Sequence, residues 1–144
     1  MKTFTLDEAQ SLLPVLESLL NRAIEARQAA SELQDELSAL NRRVFMMGGM
    51  AIDIASVQRR KTTFEALVQR AKDSLQEIDA IGVQVKDLDT GLLDFPCILE
   101  GETVLLCWKR GEPRIDFWHH LEDGFRGRQP IDARFRRAAP EKLN

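Results

Sequence analysis

Two adjacent histidines, His119 and His120, sit in the segment DFWHHLEDGFRGRQP at residues 116–130, together with Asp116, Glu122 and Asp123. Imidazoles beside carboxylates can hold a divalent cation or move a proton, and arginines among aromatics can grip a phosphate backbone. Earlier in the chain, Asp94 and Cys107 add a carboxylate and a thiol. No nucleophile elbow, catalytic-triad spacing or HExxH motif accompanies them. What chemistry is open to these groups depends on which of them share a face, and so on the elements that carry them.

From Gly82 onward the apolar period is two, with turn signals at DLDTG, EG and RGEP. The pattern predicts four strands near 82–87, 91–99, 102–109 and 114–120, joined as an antiparallel meander. A two-residue turn at Glu100-Gly101 sets Leu93 opposite Trp108, Phe95 opposite Leu106 and Cys97 opposite Val104. A reversal centred on Gly111-Glu112 then sets Trp108 opposite Ile115, Leu106 opposite Phe117 and Val104 opposite His119. Side chains alternate between faces, so this register sends His119 to the apolar face and His120 to the other. The outward face is expected to carry rows Gln84, Asp94, Cys107, Asp116, then Lys86, Leu92, Lys109, Arg114, then Pro96, Leu105, Trp118. Asp94, Cys107, Asp116 and His120 thereby form the candidate polar site, with the two carboxylates about 10 Å apart across Cys107 and Trp118 as its roof. The ordinary reading of the same face is a solvated ladder in which Lys109 and Arg114 pair with the two aspartates. Cys97 inward and Cys107 outward cannot form a disulfide, which fits a reducing compartment. DLDTG lacks the later ligands of a calcium loop and reads as a turn.

The first half is helical by spacing. Leu12, Leu16, Leu19, Ala23, Ala26, Ala30, Leu33, Leu37, Leu40 and Val44 recur every four or three residues, a heptad seam. A second seam runs Ile54, Val57, Lys61, Phe64, Val68, Ala71, Leu75, Ile78. Helices are expected over 5–45 and 51–81, paired as a long antiparallel, coiled-coil-like hairpin. Thr5 with Glu8 makes a capping box for a short opening turn. Pro14 then suits the first turn of the long helix, and Gly82 ends the second helix. The apolar arc is wide at the start of the first helix and thin after Glu25. The base of the hairpin should therefore pack on the sheet while its tip projects. Phe45, Met46, Met47 and Met50 at that tip, collared by Arg42, Arg43, Arg59, Arg60 and Lys61, are the candidate interaction residues, or else a plug closing the hairpin's own core. Gly48-Gly49 lacks the Lys-Ser/Thr of a phosphate loop.

The expected fold is thus α+β within one 144-residue domain: hairpin, sheet over 82–120, and a return segment and tail over 121–144. Phe125, Ile131 and Phe135 of the tail are expected to fold back over Leu92, Pro96, Leu105 and Trp118. A net charge of −3 gives no general bias towards nucleic acid or membrane. The tail itself is basic, with Arg126, Arg128, Arg134, Arg136, Arg137 and Lys142 against Asp132 and Glu141. Acidic residues at positions 7 and 8 argue against a signal peptide, and no apolar run reaches a membrane span, so a cytosolic protein is expected.

The blocks VKDLDTGLLDFP, LCWKRGEPRIDFWH and GFRGRQP, with the helical first half before them, resemble a bacterial family known as domain of unknown function 2203. The resemblance implies a bacterial, cytosolic origin and supports the fold. It implies no activity, cofactor or binding residue. Three functions remain in view: a non-catalytic interaction or scaffold protein acting through its helical arm, as a homo-oligomer or with a protein partner; a metal-binding protein or hydrolase-like enzyme using the polar sheet face; and a nucleic-acid binder using the basic tail and collar.

Overall fold

The computed structural model describes residues 1–46 and 54–137. In chain order the elements are α1 (Leu6–Met46), α2 (Ile54–Ile81), β1 (Gln84–Asp87), β2 (Leu92–Leu99), β3 (Glu102–Lys109), β4 (Phe117–His120), a 3-10 turn (Phe125–Gly127), β5 (Gln129–Pro130) and α3 (Ala133–Arg137). The fold is α+β: two helices and an antiparallel sheet, with the start of α1 and the end of α2 in the same compact unit as the sheet. That sheet has five strands rather than four, in the order β1-β2-β3-β4-β5. Among the described residues no helix is long and apolar enough to cross a membrane.

The helix ends follow from their residues. Thr5 Oγ1 accepts from the Glu8 N–H at 3.1 Å and Glu8 Oε1 accepts from the Thr5 N–H at 2.8 Å, a reciprocal capping box. At the far end of α2 the Gly82 N–H donates to the Asp79 carbonyl and the Val83 N–H to the Ile78 carbonyl, with Gly82 at φ 104°. This is the Schellman stop, which needs the left-handed conformation glycine adopts at little cost. Pro14 does not open a separate helix: α1 is continuous from Leu6, and the proline lies inside it. The missing N–H deprives one carbonyl, that of Gln10, of its helical donor. Leu13, Leu16 and Leu20 on the same stretch are buried. Their packing outweighs an interior proline's cost of about 3 kcal/mol.

Two compact units divide the chain. Residues 1–20 and 75–144 form the sheet unit. Its inner sheet face is apolar: Leu93 pairs with Trp108, Phe95 with Leu106 and Cys97 with Val104, as the alternation predicts. Phe4 packs edge-on against Phe95, with ring centroids 5.9 Å apart. Trp108 is buried and its indole N–H donates to the Glu112 carbonyl at 2.9 Å. The turn between β2 and β3 has Glu100 at φ 51° and Gly101 at φ 81°, the primed geometry that a two-residue hairpin requires. Pro96 stands inside β2, where its carbonyl accepts from the Phe4 N–H at 2.7 Å. In an antiparallel ladder a residue's N–H and C=O point the same way, so the donor that Pro96 lacks would have faced the amino-terminal segment and not β3.

Residues 21–74 form the helical unit. Arg60 Nε lies 3.7 Å from Glu36 Oε2, an ion pair between α2 and α1, and Arg60 also donates to Ser56 Oγ at 2.7 Å. Ala23, Ala26 and Ala30 are buried. From Leu33 to Met46 and from Ile54 to Asp73 no described residue is. The seam side chains Leu33, Leu37, Leu40, Val44, Val57, Phe64 and Val68 are all half-buried. Phe45 is 86 % and Met46 83 % exposed. Met47 and Met50, the other two candidate interaction residues, lie outside the described residues.

Candidate functional site: a buried Asp–Cys–His cluster

The β3–β4 connection decides which side chains meet, and here the expected register is corrected by one residue. Val104 pairs with His120, Leu105 with His119, Leu106 with Trp118 and Cys107 with Phe117. A two-residue turn at Gly111-Glu112 would need the Pro113 nitrogen to close it with a hydrogen bond, and proline has no N–H to give. The chain instead makes a longer loop over residues 110–116. The Glu112 N–H donates to the Lys109 carbonyl, and Glu112 Oε1 accepts from the Lys109 N–H at 2.7 Å. Ile115 is buried and its N–H donates to Gln10 Oε1 at 3.0 Å. Pairing with β3 therefore resumes only at Phe117.

The slip exchanges the two histidines. His119 joins the outer face, in the row Pro96, Leu105, His119, while His120 lies on the inner face beside Trp118, with ring centroids 4.8 Å apart. Trp118 roofs no polar site: it too faces inward, and Phe135 of α3 stacks on it at 5.5 Å. Asp116 lies before β4, its carboxylate 2.8 Å from Arg114 Nε, an exposed local pair. Of the expected site residues Asp94, Cys107, Asp116 and His120, the structure brings together the first two. His119 takes the place assigned to His120, and Phe117 occupies the row assigned to Asp116.

On the outer face Asp94 and Cys107 are direct cross-strand partners, and His119 reaches Asp94 from β4. His119 Nε2 is 3.2 Å from both Asp94 oxygens, and its Nδ1–H donates to the His120 carbonyl at 2.8 Å. A carbonyl oxygen only accepts, so the Nδ1 proton is fixed there and Nε2 is the nitrogen turned to the carboxylate. The solvated ladder is overturned for Asp94, which is 1 % exposed and pairs with His119, not with Lys109. Cys107 does face outward as the alternation predicts, yet it is equally buried. Burial above all, and then the neighbouring Asp94 charge, push the Cys107 thiol up to about 12, against the opposing pull of Arg128. Burial alone raises Cys97, on the other face, to about 11. Both cysteines are free.

What buries the outer face is the segment after β4, which carries no periodic signal. The Arg128 guanidinium stacks over Phe117 at 4.1 Å and Phe125 at 4.6 Å, bonds both Glu112 oxygens at 2.7 and 2.9 Å, and donates to the Cys107 carbonyl at 3.3 Å. No sequence pattern announces this clamp, and Arg128 reads from the sequence only as one of the basic residues of the tail. Phe125 and Phe135 do fold back, but to opposite faces of the sheet rather than together over Leu92, Pro96, Leu105 and Trp118. Beside the clamp, residues 121–125 leave a cleft of about 230 Å³ lined by Lys86, Asp94, His119, Glu122, Asp123 and Phe125, among others. Its floor holds a carboxylate–imidazole pair able to share a proton or to present ligand atoms to a small cation.

A family model described as an uncharacterized conserved protein (DUF2203) matches residues 2–131. No curated protein and no solved structure matches the chain.

Proposed function

The chain belongs to the DUF2203 family, whose description carries no activity, and from its own geometry we propose that it is a non-catalytic interaction protein acting through its helical unit, with a second copy of itself as the first partner. The observation that carries this reading is the half-buried seam. Heptad-spaced apolar side chains from Leu33 to Val44 on α1 and from Val57 to Val68 on α2 stay only half-buried even though the two helices lie together. Helices of this length draw most of their stability from a packed apolar stripe, and a seam that a single chain half buries is the pattern a coiled-coil-like assembly completes.

Size supports the same occupant. Residues 21–46 rise about 40 Å at roughly 1.5 Å each, and two helices side by side about 20 Å wide offer on the order of 800 Å² per copy. A stable interface takes about that much from each partner. An identical copy presents the matching seam by symmetry. The reading places the protein in a bacterial cytosol, in keeping with free cysteines on opposite sheet faces. The nucleic-acid alternative draws less support, because Arg128 is committed to Glu112 and Arg134 to Asp132 and Glu100.

Light scattering of the full chain at tens of micromolar tests the proposal. Twice the 16.4 kDa chain mass is expected. Leu37→Glu should return it to a single chain with its helical circular dichroism largely kept. A parent of single-chain mass at that concentration overturns the reading.

A further inference from the structure

We propose that Asp94, Cys107 and His119 are the three protein ligands of a zinc-type divalent metal site whose fourth position faces the cleft over the outer sheet face. The proposal concerns the sheet unit alone and stands independently of self-association through the helices.

Three observations carry it. The first is convergence: one ligand atom from each residue lies within 4.8 Å of the others, contributed by three successive strands. Ligand atoms in a tetrahedron with bonds of about 2.0 to 2.3 Å stand roughly 3.3 to 3.8 Å apart. His119 Nε2 and the Asp94 oxygens are already 3.2 Å apart, and the widest separation, up to 4.8 Å, closes by about 1 to 1.5 Å around an ion.

The second is the orientation of the imidazole. A histidine that ligates through one nitrogen commonly donates its other N–H to a carbonyl or carboxylate, which fixes the ring. His119 Nδ1–H does this with the His120 carbonyl at 2.8 Å. Because β4 supplies both groups, the strand itself holds Nε2 towards Asp94 and Cys107.

The third is the donor set and its surroundings. One carboxylate, one imidazole and one thiolate suit zinc or a similar borderline ion, whereas calcium and magnesium need six or more oxygens. All three side chains are buried among Leu105, Pro96 and the Arg128–Phe117 clamp. Structural zinc sites close with four protein ligands, whereas sites that exchange ligands keep one position open. Here Asp94 and His119 line the cleft and Cys107 sits behind them, so a water molecule or a donor atom of a small ligand completes the tetrahedron from the cleft side. The inward-facing Cys97 and His120 cannot take part, as they lie on the opposite side of the sheet.

The test uses the untagged full-length chain, stripped with a chelator and titrated with zinc sulfate by calorimetry and with cobalt(II) chloride by absorption. Binding of one ion per chain is expected, and the cobalt form should show near-ultraviolet thiolate-to-metal absorption with the strong visible bands of a tetrahedral centre. Cys107→Ser should abolish the thiolate absorption, while Cys97→Ser leaves it intact. His119→Gln should weaken zinc by more than the roughly 10- to 100-fold that loss of a mere orienting partner costs. Circular dichroism in chelator checks that each variant is folded. Should Cys107→Ser or His119→Gln fail to fold, the cobalt spectrum of Cys97→Ser still decides, because Cys107 is then the only thiol. No zinc binding near one per chain, or a cobalt spectrum without thiolate absorption, overturns the site.

Discussion

In the sheet unit most residues of β2 and β3 are buried, including a carboxylate, whereas in the helical unit none of the described residues beyond Ala30 of α1 and before Ser74 of α2 is fully buried. The difference is geometric. A strand in mid-sheet meets neighbours on two edges and a cover on each face, with helices on the inner side and the 121–128 segment on the outer. A helix in a two-helix pair meets one neighbour along one stripe. Side-chain apolarity is similar in both places, Leu37 and Leu40 being as oily as Leu93 and Leu106. What differs is how many layers the fold supplies, and so how much of each side chain the single chain removes from water.

The largest expected effect tests the saturated region. Trp108→Ala should destabilise the protein by about 3 to 5 kcal/mol in urea unfolding, the usual range for truncating a buried tryptophan. It removes the ring bonded to the Glu112 carbonyl and should loosen the β3–β4 loop as well. A loss under about 1 kcal/mol would erase the contrast between the units. Asp94→Ala, measured in chelator, comes next. It strands a buried imidazole whose other nitrogen is already committed to a carbonyl, for a loss of about 2 to 3 kcal/mol. The smallest effect sharpens the comparison within the sheet unit itself. Asp116→Asn removes only the exposed pair with Arg114, whose side chains are 42 % and 69 % exposed, and should change stability by roughly 0 to 1 kcal/mol. An equal loss at Asp94 and Asp116 would mean that both carboxylates are solvated, returning the outer face to the ladder reading.

Features fixed by short range were legible in the residues. The Thr5–Glu8 box, the Gly82 stop and the pairing of β2 with β3 each depend on a handful of adjacent positions, and the Glu100-Gly101 turn leaves no freedom in register. Legibility failed where the decisive contact was remote or irregular. Pro113 did signal that Gly111-Glu112 could not close a two-residue turn, but the loop that replaces it is held by Trp108, Lys109 and Gln10, which no local pattern announces. That single slip moved His119 away from Asp94 on paper and put His120 in its place. The strand at Gln129–Pro130 is too short to show a period, and half of it is a proline. Asp94 read as solvated because alternation assigns a face, and nothing in alternation says what will later cover that face.

The hydrogen bond from Ile115 to Gln10 joins positions 105 residues apart, and this sets a clock on assembly. At synthesis rates of about 5 to 20 residues per second, Gln10 waits roughly 5 to 20 s for its partner to emerge, whereas helices and hairpins form in microseconds. The helical unit, residues 21–74, lies wholly within that interval and can form while the sheet is still being made. Phe4, Leu13 and Leu16, destined for the sheet unit, meanwhile have no strand to cover them. The newborn chain therefore passes through seconds in which its amino-terminal apolar residues lie bare to chaperones and to neighbouring nascent chains, and the sheet unit is sealed from the far end of the sequence backwards.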